Sequence, residues 1–142
     1  MTRRLSRRAK DLVCMRQFAE CGYCARALCD AFEVDHLNER RTDDRANNLV
    51  ATCALCHAIK SRHVRMRRDW SEMRSALAIN LARTLDRWRG GAGWGELPDW
   101  LQARVHRRDA SLYEVTLRPV PTGLDLERFR YVPSRRARRD TR

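Results

Sequence analysis

Two C-x-x-C pairs, Cys21-x-x-Cys24 and Cys53-x-x-Cys56, constrain this chain more than any other feature. Thiols with two residues between them can close a tight knuckle on one metal ion, and two such pairs complete the four-thiolate tetrahedron of structural zinc. Gly22 is expected to give the first knuckle its backbone freedom. Buried cysteines acting as small hydrophobes are the competing reading; the paired spacing disfavours it here, and it is the better one for Cys14 and Cys29, which have no such partners. Closing the tetrahedron gathers what lies between the pairs. AFEVDH (31–36) alternates as a strand, LNERRTDDRANN (37–48) is a polar, turn-rich loop, and LVAT (49–52) is a returning strand. From Cys53 the pattern turns helical and runs to about Arg68, so the zinc closes a hairpin onto a helix.

Within CALCHAIK (53–60), Cys56 and His57 are neighbours. Successive helical residues point about 100° apart, so one ion cannot easily use both. Either one of them is idle or two sites sit back to back. With Cys56 turned to zinc, His57 faces back toward Asp35-His36 at the end of the first strand. Those two residues point to opposite faces of a regular strand, so their roles should differ. One carboxylate and one imidazole with open positions suit a hard divalent cation, Mg²⁺ or Mn²⁺, and a neutral histidine beside it can take a proton from water. These are the parts for metal-assisted phosphodiester hydrolysis, with His36 activating water and arginines holding the phosphate backbone.

The charge balance agrees with such a substrate. The net charge is +12 with a pI near 10.6, and Lys10 and Lys60 are the only lysines among 30 basic residues. Such a surplus favours polyanions, above all nucleic acid. No apolar run approaches the roughly 20 residues of a membrane span, and MTRRLSRRAK lacks the apolar core of a signal peptide. A cytoplasmic protein with reduced, metal-holding thiols is expected, with no membrane partner.

CGYC, EVDH, NNLV and CALCHAIK, in that order, resemble the HNH endonuclease family in its four-cysteine zinc version. The resemblance covers roughly residues 15 to 66. It implies a small α+β fold, a ββα-metal (His-Me finger) core stabilised by a four-cysteine zinc site, and DNA nicking or cleavage in a phage, mobile-element or defence setting. It implies that Asp35 and His57 bind the catalytic ion and that His36 is the general base. Asn48, directly before the LV of the second strand, would bond across the loop and orient His36. Relatives often carry an Ile-x-Pro step and a glycine pair in this loop, where this chain has Leu37, Asn38 and ERRTDDRA. Lys60, Arg62, Arg65, Arg67 and Arg68 on and after the helix, with Arg40 and Arg41 in the loop, are expected at the DNA phosphates. Asp43 and Asp44 read as a solvated turn.

Residues 1–10 read as a basic arm or the start of a helix lying on DNA, 11–68 as the nuclease domain, 69–118 as a mainly helical extension, and 119–142 as a flexible Pro/Arg-rich tail. An amphipathic helix is expected from Lys10 to Glu20. A second runs from Trp70 to Trp88, capped by Asp69, with Trp70, Met73, Leu77, Leu81, Leu85 and Trp88 on one stripe. Trp70 and Trp88 are assigned to core packing; for Trp94 and Trp100, packing and partner binding stand level. Pro98 opens a short helix to Arg107, and SLYEVTL (111–117) reads as a strand. Two further functions compete: a zinc-stabilised module that binds DNA without cutting, and an accessory subunit of a larger machine, such as a phage packaging motor, docking through residues 69–142. That same segment could support a homodimer.

Overall fold

In the computed structural model, which describes residues 5–109 and 121, Ser6 opens the first helix. Its hydroxyl accepts a hydrogen bond from the Ala9 N–H at 3.1 Å and so satisfies a free donor of the first turn. This helix, α1 (Arg7–Arg16), buries Val13, Cys14 and Met15. It begins and ends before the span expected from the apolar spacing. Phe18 and Ala19 lie in the left-handed region, at φ 55° and 56°, so the chain turns out of the helix there. Both still reach the core, by a turn instead of by a continued stripe.

The sheet is a two-stranded hairpin. β1 (Glu33–His36) pairs antiparallel with β2 (Leu49–Thr52), with Asp35 opposite Val50 and His36 opposite Leu49. The outer edge of β2 is closed by a side chain. The Gln17 amide donates to the Ala51 carbonyl at 2.9 Å and accepts from the Ala51 N–H at 2.8 Å, doing what a third strand would do. Gly22 N–H donates to the same Ala51 oxygen at 3.0 Å, which hooks the first cysteine knuckle to the hairpin. A Cβ at residue 22 would stand 2.6 Å from Val50 Cγ1 and 2.8 Å from Leu77 Cδ1. Close approach, and not the backbone freedom expected, is what requires glycine there, since Gly22 is not in the positive-φ region.

Helix α2 (Ala54–Arg65) starts at Cys53, whose sulfur accepts from the Cys56 N–H at 3.4 Å. It stops short of Arg68 because Arg67 turns to φ 55°. Asp69 then accepts from both the N–H and the hydroxyl of Ser71 at 2.9 Å, and α3 (Ser71–Arg89) follows. Trp70, Leu77, Leu81 and Trp88 are buried, with Met73 packed beside them and Leu85 half-buried. Trp88 donates its indole N–H to the Arg16 carbonyl at 2.8 Å and stacks on Phe18 at 4.6 Å, which ties α3 to the end of α1. From α3, Asn80 donates to the carbonyls of Gly22 and Tyr23, so the long helix also braces the first knuckle.

Helix α4 (Asp99–Gln102) ends short of Arg107, where the chain turns helical again through 109. Trp94 and Trp100 pack against the core, Trp100 at 6.0 Å from Phe32. The described residues thus form a small, mostly helical α+β fold with one hairpin. Residues 1–4 of the arm, the strand expected at 111–117 and most of the tail fall outside them. No helix of the described residues is long and apolar enough to cross a membrane.

Candidate functional site

The knuckle at Cys21 closes on itself: Cys21 N–H donates to the Arg26 carbonyl and Ala25 N–H to the Cys21 carbonyl, both at 2.8 Å, with Ala25 at φ 62°. The second pair lies at the first turn of α2. The sulfurs of Cys21, Cys24, Cys53 and Cys56 consequently all lie within 4.8 Å of one another, with Cys24 and Cys53 at 3.9 Å. A tetrahedral zinc with Zn–S bonds of about 2.3 Å separates its sulfurs by about 3.8 Å, so the quartet can hold a structural zinc ion. Burial pushes the Cys21 and Cys56 thiols up. Burial pushes Cys53 up as well, but hydrogen bonds from the Cys56 N–H and the neighbouring thiols outweigh it and hold it low. Cys14, buried and raised first by desolvation and then by Asp11, stands apart, as does exposed Cys29.

One residue along α2, His57 turns to the hairpin. Its Nε2 lies 3.7 Å from Asp35 Oδ1. Asp35, His36, Glu39, Arg41 and His57 line a common cleft of about 480 Å³. Asp35 is only 1% exposed, and its partners are internal. Tyr23 donates its hydroxyl to Oδ2 at 2.9 Å, and the Lys60 ammonium stands 3.2 Å from Oδ2 and 3.4 Å from Oδ1. Burial pushes the Asp35 carboxyl above its ordinary range against the opposing pull of Lys60. Tyr23 is pushed up too, by burial and then by the Asp35 charge.

Lys60 corrects an expectation. It is 0% exposed and donates to the His36 and Leu37 carbonyls at 3.0 and 3.1 Å and to Glu39 Oε1 at 2.6 Å, so it has no surface to offer a phosphate. It is an internal cation that ties α2 to the end of β1. Its sequence signal was its type: a lysine in a chain that otherwise uses arginine almost throughout. A compact ammonium fits a pocket of converging carbonyls and carboxylates, where a planar guanidinium fork would not.

The loop between the strands is tied by small polar side chains. Asn48, fully buried, accepts from the Asn38 N–H at 3.1 Å and donates to Asn38 Oδ1 at 2.9 Å and to the Asp43 carbonyl at 2.8 Å. It thus spans the loop but does not touch the His36 ring. Asp43 accepts from Asn38 Nδ2 at 2.7 Å and from Arg45 through two bonds of 2.8 Å, and the Arg45 bonds chiefly hold its carboxyl down at about 2. The partner of His36 is Asp44, whose Oδ1 lies 2.9 Å from Nε2. Reading Asp43 and Asp44 as a solvated turn missed that pair.

Arg40, Arg41, Arg62, Arg65, Arg67 and Arg68 are all exposed. Of these Arg41 lines the cleft, as does Lys10. Arg62 lies about 140° around α2 from His57 at 100° per residue, and so points away from the cleft. No family model matches the chain, and no curated protein and no solved structure matches it either.

Proposed function

We propose that this protein is a metal-dependent DNA endonuclease of the HNH type, hydrolysing phosphodiester bonds with His36 as general base. The observation that carries the reading is the meeting of Asp35, His36 and His57 on one cleft, one residue along α2 from the thiol quartet. In this reading Zn²⁺ on the four thiolates clamps the hairpin to α2. Asp35 and His57, 3.7 Å apart, would hold a Mg²⁺ or Mn²⁺ ion, as a donor pair suited to a hard cation that takes few protein ligands and keeps several waters. Bound there, the ion supplies positive charge to the phosphodiester as its negative charge develops. His36 takes the proton of the attacking water, and Arg41 and Lys10 on the cleft wall offset backbone phosphate charge. Asn48 keeps the loop above the cleft in one conformation.

Supercoiled plasmid incubated in EDTA, Mg²⁺ or Mn²⁺ tests this directly. Nicked or linear product is expected with either divalent ion, not in EDTA, and reduced about 10²- to 10⁴-fold by His36→Ala. Undiminished cutting by that variant would refute the assignment. A second reading is a zinc-stabilised module that grips DNA without cutting it. The Lys60 ammonium favours it, because it already balances the Asp35 charge that a divalent ion would use. Tight, salt-sensitive binding with no product under any divalent ion would decide for it, and cutting only with an added partner would mark an accessory subunit.

A further inference from the structure

We infer that Asp44 is the positioning residue for the His36 base. Its carboxylate holds the ring proton on Nε2, so that the lone pair facing the reaction is on Nδ1. The inference rests on the nuclease reading above and assigns a partner to its base.

Asp44 Oδ1 and His36 Nε2 are 2.9 Å apart. An ionised carboxylate can only accept, so the contact needs the proton on Nε2, and in a neutral imidazole the other nitrogen is then the acceptor. His36 Nδ1 makes no hydrogen bond with any described residue, and His36 is one of the residues lining the cleft. His36 is also the only ion-pair or hydrogen-bond partner of the Asp44 side chain among the described residues. The pair is partly shielded, with side chains 14% and 31% exposed.

Asp44 is not a loose loop carboxylate, because the residue before it is held from three directions. Asn48 grips the Asp43 carbonyl, and Asn38 and Arg45 grip its side chain. Asn48 therefore acts on His36 through the loop that carries Asp44. In the step itself, water gives its proton to His36 Nδ1 while the water oxygen bonds to phosphorus. The phosphorus–oxygen ester bond breaks, and the departing oxygen takes a proton from solvent. The ring becomes an imidazolium, and its Nε2–H stays on Asp44, whose charge stabilises it. The imidazolium then loses the Nδ1 proton to solvent.

The test uses the zinc-loaded full chain and two readouts. The first needs no divalent ion: long-range ¹H–¹⁵N spectra of the His36 ring at about pH 8, above the ordinary histidine range. The wild type should show the Nε2–H tautomer, and Asp44→Ala a mixture of both. The second is plasmid cleavage in Mg²⁺. Asp44→Ala should lower kcat about 10²-fold with KM little changed. Asp44→Asn should lower it further, because its amide can donate to Nε2 and drive the proton to Nδ1. Asp44→Glu should restore part of the rate. Zinc content and thermal transition identify any variant that has failed to fold, and the Asn and Glu variants then carry the comparison. If wild type cuts but the tautomer and kcat are unmoved by these changes, Asp44 has no positioning role. If the tautomer shifts in a protein that never cuts, the base assignment falls, and a catalytic purpose for the pair falls with it.

Discussion

Helix α2 serves two sites of opposite character within its first two turns. At one, Cys53 and Cys56 complete a quartet of like ligands. At the other, His57 faces Asp35, a carboxylate already paired with the chain's own Lys60. Burial keeps the Cys21 and Cys56 thiols protonated in the absence of a metal, so the quartet becomes four thiolates only on an ion, whereas the Asp35–Lys60 contact is complete without one. The first site has the ligand set for assembly by an ion, and the second is assembled by the polypeptide. Loss of its ion should unfold the first site and the fold with it, whereas absence of a divalent ion at the second should leave that site's architecture intact.

The largest effect should follow from stripping the thiol site. Structural zinc contributes on the order of 10 kcal/mol to small folds, comparable to the whole stability of a domain. Chelation of zinc, or Cys56→Ser, should abolish the cooperative thermal transition seen by circular dichroism. A chain that melts unchanged after its metal is shown to be gone would break the comparison at once. Removal of Mg²⁺ or Mn²⁺ should leave the transition in place.

Next in size is the internal cation. Lys60→Met leaves Asp35 buried with only Tyr23 as donor and should cost about 3–5 kcal/mol in urea denaturation. Combined with Asp35→Asn, it should cost clearly less than the sum of the single changes, because the two groups share one contact. Additive losses would mean that Lys60 stabilises the fold through the His36 and Leu37 carbonyls alone. The smallest effect separates the two sides of α2. Arg41→Ala, on the cleft, should lower the slope of log Kd for DNA against log salt by about one, and Arg62→Ala, turned away from it, should hardly change it. Equal losses from both would place DNA across the outer face of the helix and not in the cleft.

Alternation in AFEVDH places the first strand, which starts two residues later, at Glu33; LVAT, buried at all four positions, shows no period of two and is placed as the short apolar run returning after the loop. The stripe of α3 was legible for the same kind of reason, at 3.6 residues per turn. The end of α1 was not. Phe18 and Ala19 continue the helical spacing, and the backbone leaves it where Phe18 stacks on Trp88, from a helix much later in the chain. In the loop, Asn38, Asp43, Asp44 and Asn48 are all short polar side chains of the kind that favour turns. Their type says that a turn exists but not which of them meets which. Gly22 shows a similar limit: its identity reads as backbone freedom, but what requires it is crowding by Val50 and Leu77, on two other elements.

By itself, then, the sequence determined that four thiols would meet, that a hairpin would lie between them, and that Cys56 and His57 would face different ways. Each follows from short-range geometry, the spacing of a knuckle, the period of a strand and the 100° step of a helix. Only the tertiary structure decided that Lys60 turns inward to Asp35, 25 residues away, and that Asp44 is the partner of His36. Both are pairings of polar groups across a closed loop. Their strength depends on distances and burial that exist only once the hairpin has packed on α2, and no period in the sequence encodes either.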